Sequence, residues 1–193
     1  LLKEKLVKLH SNYLKKILLM RYEILKISSL FERNNIEYVV LKGMAMEIKE
    51  IDSSREFRDI DILINQKDLK RAYALLRSSG YVYYNKQSND CAKYLRDMHH
   101  LPPMVSNMGV IVELHHRITL PTIFKSCPLT NITLMDKEIR DGINVPSDKI
   151  LLVHTLYHGV LHHELSFGPN FLLDIKNILM QNKYADNSIN NLL

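Results

Sequence analysis

The chain has 193 residues, of which 46% are hydrophobic and 24% are charged. This composition is typical of a globular domain and excludes disordered, collagen-like and coiled-coil proteins. No apolar run approaches the ~20 residues of a membrane-spanning helix, and no signal-peptide pattern opens the chain. With only two cysteines, Cys91 and Cys127, the sequence predicts a cytoplasmic protein without a membrane partner.

The formal net charge of +5 is concentrated at one end of the chain. Residues 1–33 hold eight basic and three acidic side chains, whereas the remainder holds 18 of each sign. The lysines of this segment indicate either a stripe that binds a polyanion or the solvated face of a packed helix, and we favour the packed helix. The absence of an initiating methionine is compatible with a piece of a longer protein.

The first segment has the periodicity of an amphipathic helix. Its apolar residues recur every ~3.6 positions, which predicts one buried helical face that ends at Asn34 and Asn35. These apolar residues are Leu2, Leu6, Leu9, Tyr13, Ile17, Met20, Ile24, Ile27 and Phe31.

Short strands and helices alternate after this helix. Strands are predicted at 38–41, 57–64, 81–84, 104–106 and 110–115, with edge strands at 132–135 and 143–145. Helices are predicted at 44–48, 69–76, 148–163 (with Ser147 as N-cap) and 170–182, and a loop with a helical turn at 85–100. The order predicts a mixed sheet covered by helices, divided into an N-terminal helix (1–35), a core (36–146) and a helical C-terminal part (147–193).

Three acidic residues lie within apolar strands. Asp59 and Asp61 are two apart, so their carboxylates project from the same face, and Glu113 follows another apolar run. A buried carboxylate destabilises the fold unless a cation pairs with it. If the two strands are neighbours, the three carboxylates would form either a site for two Mg²⁺ ions or an ion-paired cluster with Arg55 or Arg58.

Lys42 and Gly43 follow the first strand. A glycine there allows close approach of a phosphate to the next helix, and the lysine supplies a positive charge.

Three stretches, 39–45, 55–64 and 112–115, together resemble the polymerase-β-like nucleotidyltransferase superfamily, and in particular nucleotidyltransferase family 5. The resemblance covers residues 36–117 and implies an α/β (α+β) fold with that superfamily's core. It further implies that Asp59 and Asp61 bind metal, while Glu113 either binds metal or takes the acceptor's proton.

The resemblance also implies a nucleotide site. Lys42 and Gly43 would hold the triphosphate, Arg55 would contact phosphate or neutralise the aspartates, and His115 would orient a carboxylate or contact phosphate or acceptor. The implied reaction is Mg²⁺-dependent transfer of a nucleoside monophosphate from a nucleoside triphosphate, with release of pyrophosphate. The acceptor (a small molecule, a protein or RNA) and the oligomeric state stay open. The alternative is a non-catalytic relative that binds nucleotides or interacts with a protein, as in a toxin–antitoxin pair.

The sequence departs from the superfamily pattern at two points. Lys42-Gly43 stands where many members have Gly-Gly or Gly-Ser, and His116 stands where an aromatic residue commonly follows Glu-Leu-His.

The chain has nine histidines, and some of them are candidates for a second functional site. His154, His158 and His162 are spaced at four residues, which places them on one helical face and suits either interface hydrogen bonds or zinc in a metal hydrolase. Asp174 is a candidate partner for these histidines. By the resemblance alone, His99 and His100 belong to the pocket of His115.

Overall fold

The computed structural model describes residues 2–52, 56–84, 90–123, 127–162 and 170–181. The helices are α1 (Leu2–Arg33), α2 (Lys42–Ile48), α3 (Leu69–Ser78), α4 (Cys91–Asp97), α5 (Pro128–Met135), α6 (Asp148–Tyr157), which continues as a π-helical turn (His158–His162), and α7 (Asn170–Gln181). The strands are β1 (Tyr38–Val40), β2 (Asp59–Ile64), β3 (Val82–Tyr83), β4 (Met104–Val105), β5 (Ile111–His115), β6 (Lys137–Arg140) and β7 (Ile143–Pro146).

A mixed five-stranded sheet in the order β1-β2-β5-β4-β3 forms the centre of the molecule. β2 and β5 are parallel, whereas the other neighbouring strands of this sheet are antiparallel. β6 and β7 form a separate antiparallel pair. The prediction of a mixed sheet with helices against it is confirmed.

The two faces of the sheet carry different side chains. In β2, Ile60, Ile62 and Ile64 point into the larger core, which they share with α1 and α3. Leu63 points the other way, into a smaller core with α5 and α6. Because side chains alternate along a strand, Asp59 and Asp61 lie on the face of Leu63, opposite α1.

Helix α1 is present as predicted, but only part of its apolar stripe is buried. Ile17 and the later members of the stripe contact the core, whereas Leu6 and Leu9 are 57% and 65% exposed. The periodicity therefore identified the helix correctly, but the domain covers only its C-terminal half.

The region before α6 differs from the prediction. Residues 132–135 were expected to form an edge strand but belong to α5, which begins with Pro128, a residue whose fixed φ favours the first helical position. Thr133 Oγ1 donates to the carbonyl of Leu129 and is fully buried there. The neighbouring β6 was missed because its alternation of polar residues gives no apolar pattern.

The C-terminal helices are placed as the sequence indicates. The Ser147 side chain accepts a hydrogen bond from the backbone of Ile150, which confirms the predicted N-cap of α6. Lys49, after α2, is 3% exposed and pairs with Glu138 and Asp148, so it connects α2 with β6 and α6.

The division into an N-terminal helix, a core and a helical C-terminal part stays a prediction. Within the described residues, no helix combines the length and apolar character needed to cross a membrane.

Two substitutions in α1 test how the helix is packed. Ile24 is fully buried, whereas Leu18 on the same helix is 66% exposed. We expect Ile24→Ala to lower the free energy of unfolding by about 3 kcal/mol, because it leaves a cavity, and Leu18→Ala to change it by less than about 0.5 kcal/mol. Urea denaturation measures both values, and equal effects would contradict the observed orientation of α1.

Candidate active site

The parallel pairing of β2 and β5 brings the predicted acidic residues together. In this register Asp61 lies opposite Glu113, and Leu63 lies opposite His115. Asp61 is 3% exposed, and Glu113 and Asp59 are half-buried. The carboxylates were expected to form one cluster only if the two strands are neighbours, and the two strands are neighbours.

Lys42 is the cation that pairs with the buried aspartate. β1 runs antiparallel to β2, and the Leu41 amide after it donates to the backbone carbonyl of Asp61 at 2.9 Å. Lys42 follows with a φ of +53°, in the left-handed region, and its Nζ lies 2.8 Å from Asp61 Oδ1. The alternative reading named two arginines as partners, but Arg58 is exposed and Arg55 lies outside the described residues.

Gly43 occupies a crowded position at the start of α2. A Cβ atom on this residue would approach the ring of Phe57 to 2.6 Å, a distance that real side chains do not reach. The packing of Phe57 therefore accounts for the glycine, and its contact with a phosphate stays a prediction.

His115 lies between the two carboxylates. Its Nε2 donates to Asp61 Oδ1 at 2.7 Å and lies 3.5 Å from Glu113 Oε2, and the residue is 1% exposed. The His100 Nε2 lies 3.9 Å from the same oxygen of Glu113, and the rings of His99 and His100 contact that of His115. The expectation that these histidines share a pocket agrees with the geometry.

Opposite charges shift the pKa values of four of these groups. Burial alone would raise the pKa of Asp61, but Lys42 and His115 hold it well below its ordinary value. Burial also opposes the charged forms of Lys42 and His115, yet the carboxylates raise both pKa values. The pKa of Glu113 is lowered despite burial, mainly by its hydrogen bond with His115. These shifts favour the charged forms of all four groups.

The carboxylate of Asp59 differs from these four groups, because its surroundings favour its uncharged form. Burial and the nearby carboxylates of Asp61 and Glu113 raise its pKa from 3.8 to about 6. Lys42 and His115 only partly offset this repulsion, so the cluster carries an excess of negative charge when Asp59 ionises.

The cluster fits a metal ion by its donor atoms. One atom each from Asp61, Glu113 and His115 lies within 4.8 Å of the others. Carboxylate oxygens are hard ligands for divalent cations, and imidazole is a common ligand for transition metals. Asp59 is outside this group of donors, although the sequence analysis placed it among the metal ligands.

The helical histidines form a separate feature. His154 is 2% exposed, and its ring centroid lies 6.2 Å from that of His158 at the start of the π-helical turn. Asp174 is fully buried on α7. The side chain of His162 lies outside what the structure describes. Among the described residues, the Asp61, Glu113 and His115 group is the one three-ligand cluster, so a zinc site at this helix stays an untested alternative.

The structure adds one pairing that the sequence did not predict, because Lys42 was expected at a phosphate but contacts Asp61. His115 was expected to orient a carboxylate or to contact phosphate or acceptor, and it contacts both Asp61 and Glu113. The spacing Glu113-Leu114-His115, which puts both side chains on one strand face, is the basis of that expectation. His116 is also buried, and burial with the charge of Arg117 lowers its pKa to about 4, which favours a packed neutral ring.

Several solved structures share the fold of this chain. The crystal structure of ANT(2'')-Ia in complex with adenylyl-2''-tobramycin is 9% identical, has a TM-score of 0.56, and the match covers 89% of this chain and 91% of that chain. The solution structure of the antibiotic-resistance factor ANT(2'')-Ia is 8% identical, with a TM-score of 0.53 and coverage of 89% and 86%. The lincosamide antibiotic adenylyltransferase LnuA, bound to lincomycin, is 15% identical, with a TM-score of 0.52 and coverage of 81% and 94%.

At these identities the likeness shows a shared fold, and it confirms the predicted α/β (α+β) nucleotidyltransferase architecture. No curated protein is significantly similar in sequence to this chain. A family of uncharacterised nucleotidyltransferases matches residues 2–190. Because that match spans almost the whole chain, the protein belongs to this nucleotidyltransferase family.

Proposed function

We propose that the protein transfers a nucleoside monophosphate from a nucleoside triphosphate to a hydroxyl acceptor, with Mg²⁺ as the expected divalent ion. The observation that carries this proposal is the pairing of Asp61 with Glu113 across two parallel strands, next to Lys42. In the reaction the acceptor oxygen forms a bond to the α-phosphorus and its proton is released to solvent. The bond from the α-phosphorus to the oxygen that bridges to the β-phosphate breaks, and pyrophosphate leaves with those electrons.

The acidic residues would hold the metal. Asp59, Asp61 and Glu113 are the proposed carboxylate ligands, and the short distances around Asp61 support Glu113 as a ligand rather than as the acceptor's base. A bound divalent ion would polarise the α-phosphate and neutralise charge that develops in the transition state.

Lys42 would contact the triphosphate without leaving Asp61. An ammonium group has three donors, and Asp61 Oδ1 occupies one of them. The Lys42 side chain is 17% exposed, so its remaining donors are within reach of a ligand. Gly43 is proposed to let phosphate approach the backbone beside it, and Arg55 is a further candidate for the nucleotide. His115 is 1% exposed and faces the carboxylates, so it is no longer proposed to contact the nucleotide.

The acceptor is proposed to be a small molecule with a hydroxyl group. Two structural neighbours are described with adenylylated tobramycin or bound lincomycin, which supports ATP as donor and a small acceptor over a protein or RNA. Since those proteins share only the fold with this chain, the chemical class of the acceptor is taken no further.

Label transfer tests the proposed reaction. With α-labelled ATP, Mg²⁺ and a small-molecule extract, we expect Asp61→Asn and Glu113→Gln each to lower the transfer rate at least about 100-fold, because each removes charge from the metal site. Asp141→Asn is a matched control, since Asp141 is exposed and lies away from the cluster. Transfer that survives both site substitutions would contradict the proposal, and nucleotide binding without transfer would favour a non-catalytic relative.

Asp59→Asn tests the excess negative charge in the metal-free protein. The pKa of Asp59 is about 6 in the folded state against 3.8 ordinarily, so folding favours its protonated form. The stability of the folded protein is therefore unaffected by Asp59 ionisation below about pH 4, and the protein loses stability as the pH rises through about 6 and Asp59 ionises. In the presence of a chelator we therefore expect Asp59→Asn to be more stable than the wild type by about 1–3 kcal/mol near pH 7.5 and equally stable near pH 4.

Urea denaturation at the two pH values measures this difference, with Asp141→Asn as the exposed control. A difference that is the same at both pH values would show that Asp59 does not experience the charges of its neighbours. Loss of nucleotidyl transfer in Asp59→Asn, together with its greater stability, would identify a residue kept for function against stability.

A further inference from the structure

The distances between His115 and the carboxylates of Asp61 and Glu113 are close to those between atoms that bind one metal ion. Two ligands at right angles around an ion, with bonds of about 2.1–2.2 Å, lie about 3 Å apart. The His115 Nε2 lies 2.7 Å from Asp61 Oδ1 and 3.5 Å from Glu113 Oε2, so these two separations bracket that value. An ion could therefore contact all three atoms after small side-chain movements.

We propose that His115 Nε2 is a direct ligand of the catalytic metal ion, and that this nitrogen gives the site a preference for Mn²⁺ over Mg²⁺. The inference rests on the proposed metal-dependent transfer and specifies its metal site. The ion takes the place of the proton between Nε2 and Asp61 Oδ1, and that proton leaves to solvent.

The chemistry of the donors leads to the metal preference. Mg²⁺ favours oxygen ligands and binds imidazole weakly, whereas later divalent ions accept nitrogen readily. The imidazole of His115 therefore adds a nitrogen ligand that a site built from the carboxylates alone, as the sequence indicated, would lack. His115 is 1% exposed and fixed on β5, so its ring is held in place before an ion arrives.

His100, which lies next to His115 in the same pocket, provides a control for the proposed role of His115. Its Nε2 lies 3.9 Å from Glu113 Oε2, and Nδ1 hydrogen-bonds the carbonyl of Leu101. The residue is outside the group of three donors, although its ring contacts that of His115. A substitution at His100 disturbs the same pocket without removing the proposed ligand.

The competing explanation is that His115 only positions Asp61 by a hydrogen bond. In that case the imidazole stays between the carboxylate and the protein, and the ion contacts oxygen atoms alone. The two explanations differ in one directly measurable property, which is the presence of a nitrogen atom in the metal's coordination sphere.

Electron spin-echo envelope modulation of the full chain with one equivalent of Mn²⁺ measures that property. We expect nitrogen modulation from a directly bound imidazole, which changes to the ¹⁵N pattern when the protein is labelled with [¹⁵N]histidine. We expect the modulation to persist in His100→Gln and to disappear in His115→Gln. The labelled wild-type protein gives a result even if His115→Gln does not fold.

Calorimetric titration with Mn²⁺ and with Mg²⁺ measures the preference. Loss of a ligand should weaken Mn²⁺ binding at least about tenfold in His115→Gln and weaken Mg²⁺ binding much less, so the ratio of the two affinities falls. His100→Gln should keep the wild-type ratio. Equal loss of both affinities in His115→Gln would contradict the assigned preference.

The outcomes separate this inference from the proposed function. Mn²⁺ bound without nitrogen modulation, in a protein that still transfers nucleotide, would overturn the role of His115 and leave the reaction in place. Nitrogen modulation in a protein without transfer activity would support the ligand and contradict the reaction. No Mn²⁺ binding at all would overturn the metal site and the inference together.

Discussion

The carboxylate of Asp61 is the group on which the arrangement of the site depends. It is almost fully buried in the middle of a central strand, where an unpaired charge would destabilise the fold by several kcal/mol. Two cationic groups, Lys42 and His115, contact the same oxygen at 2.8 and 2.7 Å. The metal-free protein is therefore organised around a buried ion cluster that a divalent cation could enter.

The fold supplies this cluster through its strand order. The parallel pairing of β2 with β5 places Glu113 beside Asp61, and the antiparallel pairing of β1 with β2 ends where Lys42 meets Asp61. β2 thus contributes Asp59 and Asp61 to this face, β5 contributes Glu113 and His115, and Lys42 follows β1 at the start of α2. From Ile17 onwards, the long helix α1 packs on the other face of the sheet.

Asp59 brings electrostatic repulsion into the cluster. It adds a third carboxylate beside Lys42 and His115, and its raised pKa reports the repulsion that results. The proposed divalent cation would relieve this repulsion, so the repulsion would favour metal binding.

Much of the fold and of the site could be predicted from the sequence because the patterns are local. The periodicity of α1, the apolar strands around Asp61 and Glu113, and the Ser147 cap depend on neighbouring residues alone. Contacts between distant segments could not be predicted in the same way. The pairing of Lys42 with Asp61 depends on the antiparallel register of β1 and β2, which no local pattern specifies.

Local patterns also failed where they were ambiguous. The run at 132–135, which begins with the β-branched residues Ile132 and Thr133, suits a strand, but Pro128 and the buried contact of Thr133 favour the helix α5. The exposed β6 gives no apolar signal, because its pairing with β7 depends on backbone hydrogen bonds rather than on burial.

The central claim is that a divalent ion binds at Asp61 and Glu113. Anomalous diffraction at the manganese edge, from crystals of the protein grown with Mn²⁺ and a non-hydrolysable ATP analogue, tests it most directly. The account predicts an anomalous peak within about 2.5 Å of carboxylate oxygens of both residues, with the triphosphate beside Lys42. A peak at His154 and His158, or nucleotide bound away from this face of the sheet, would contradict it.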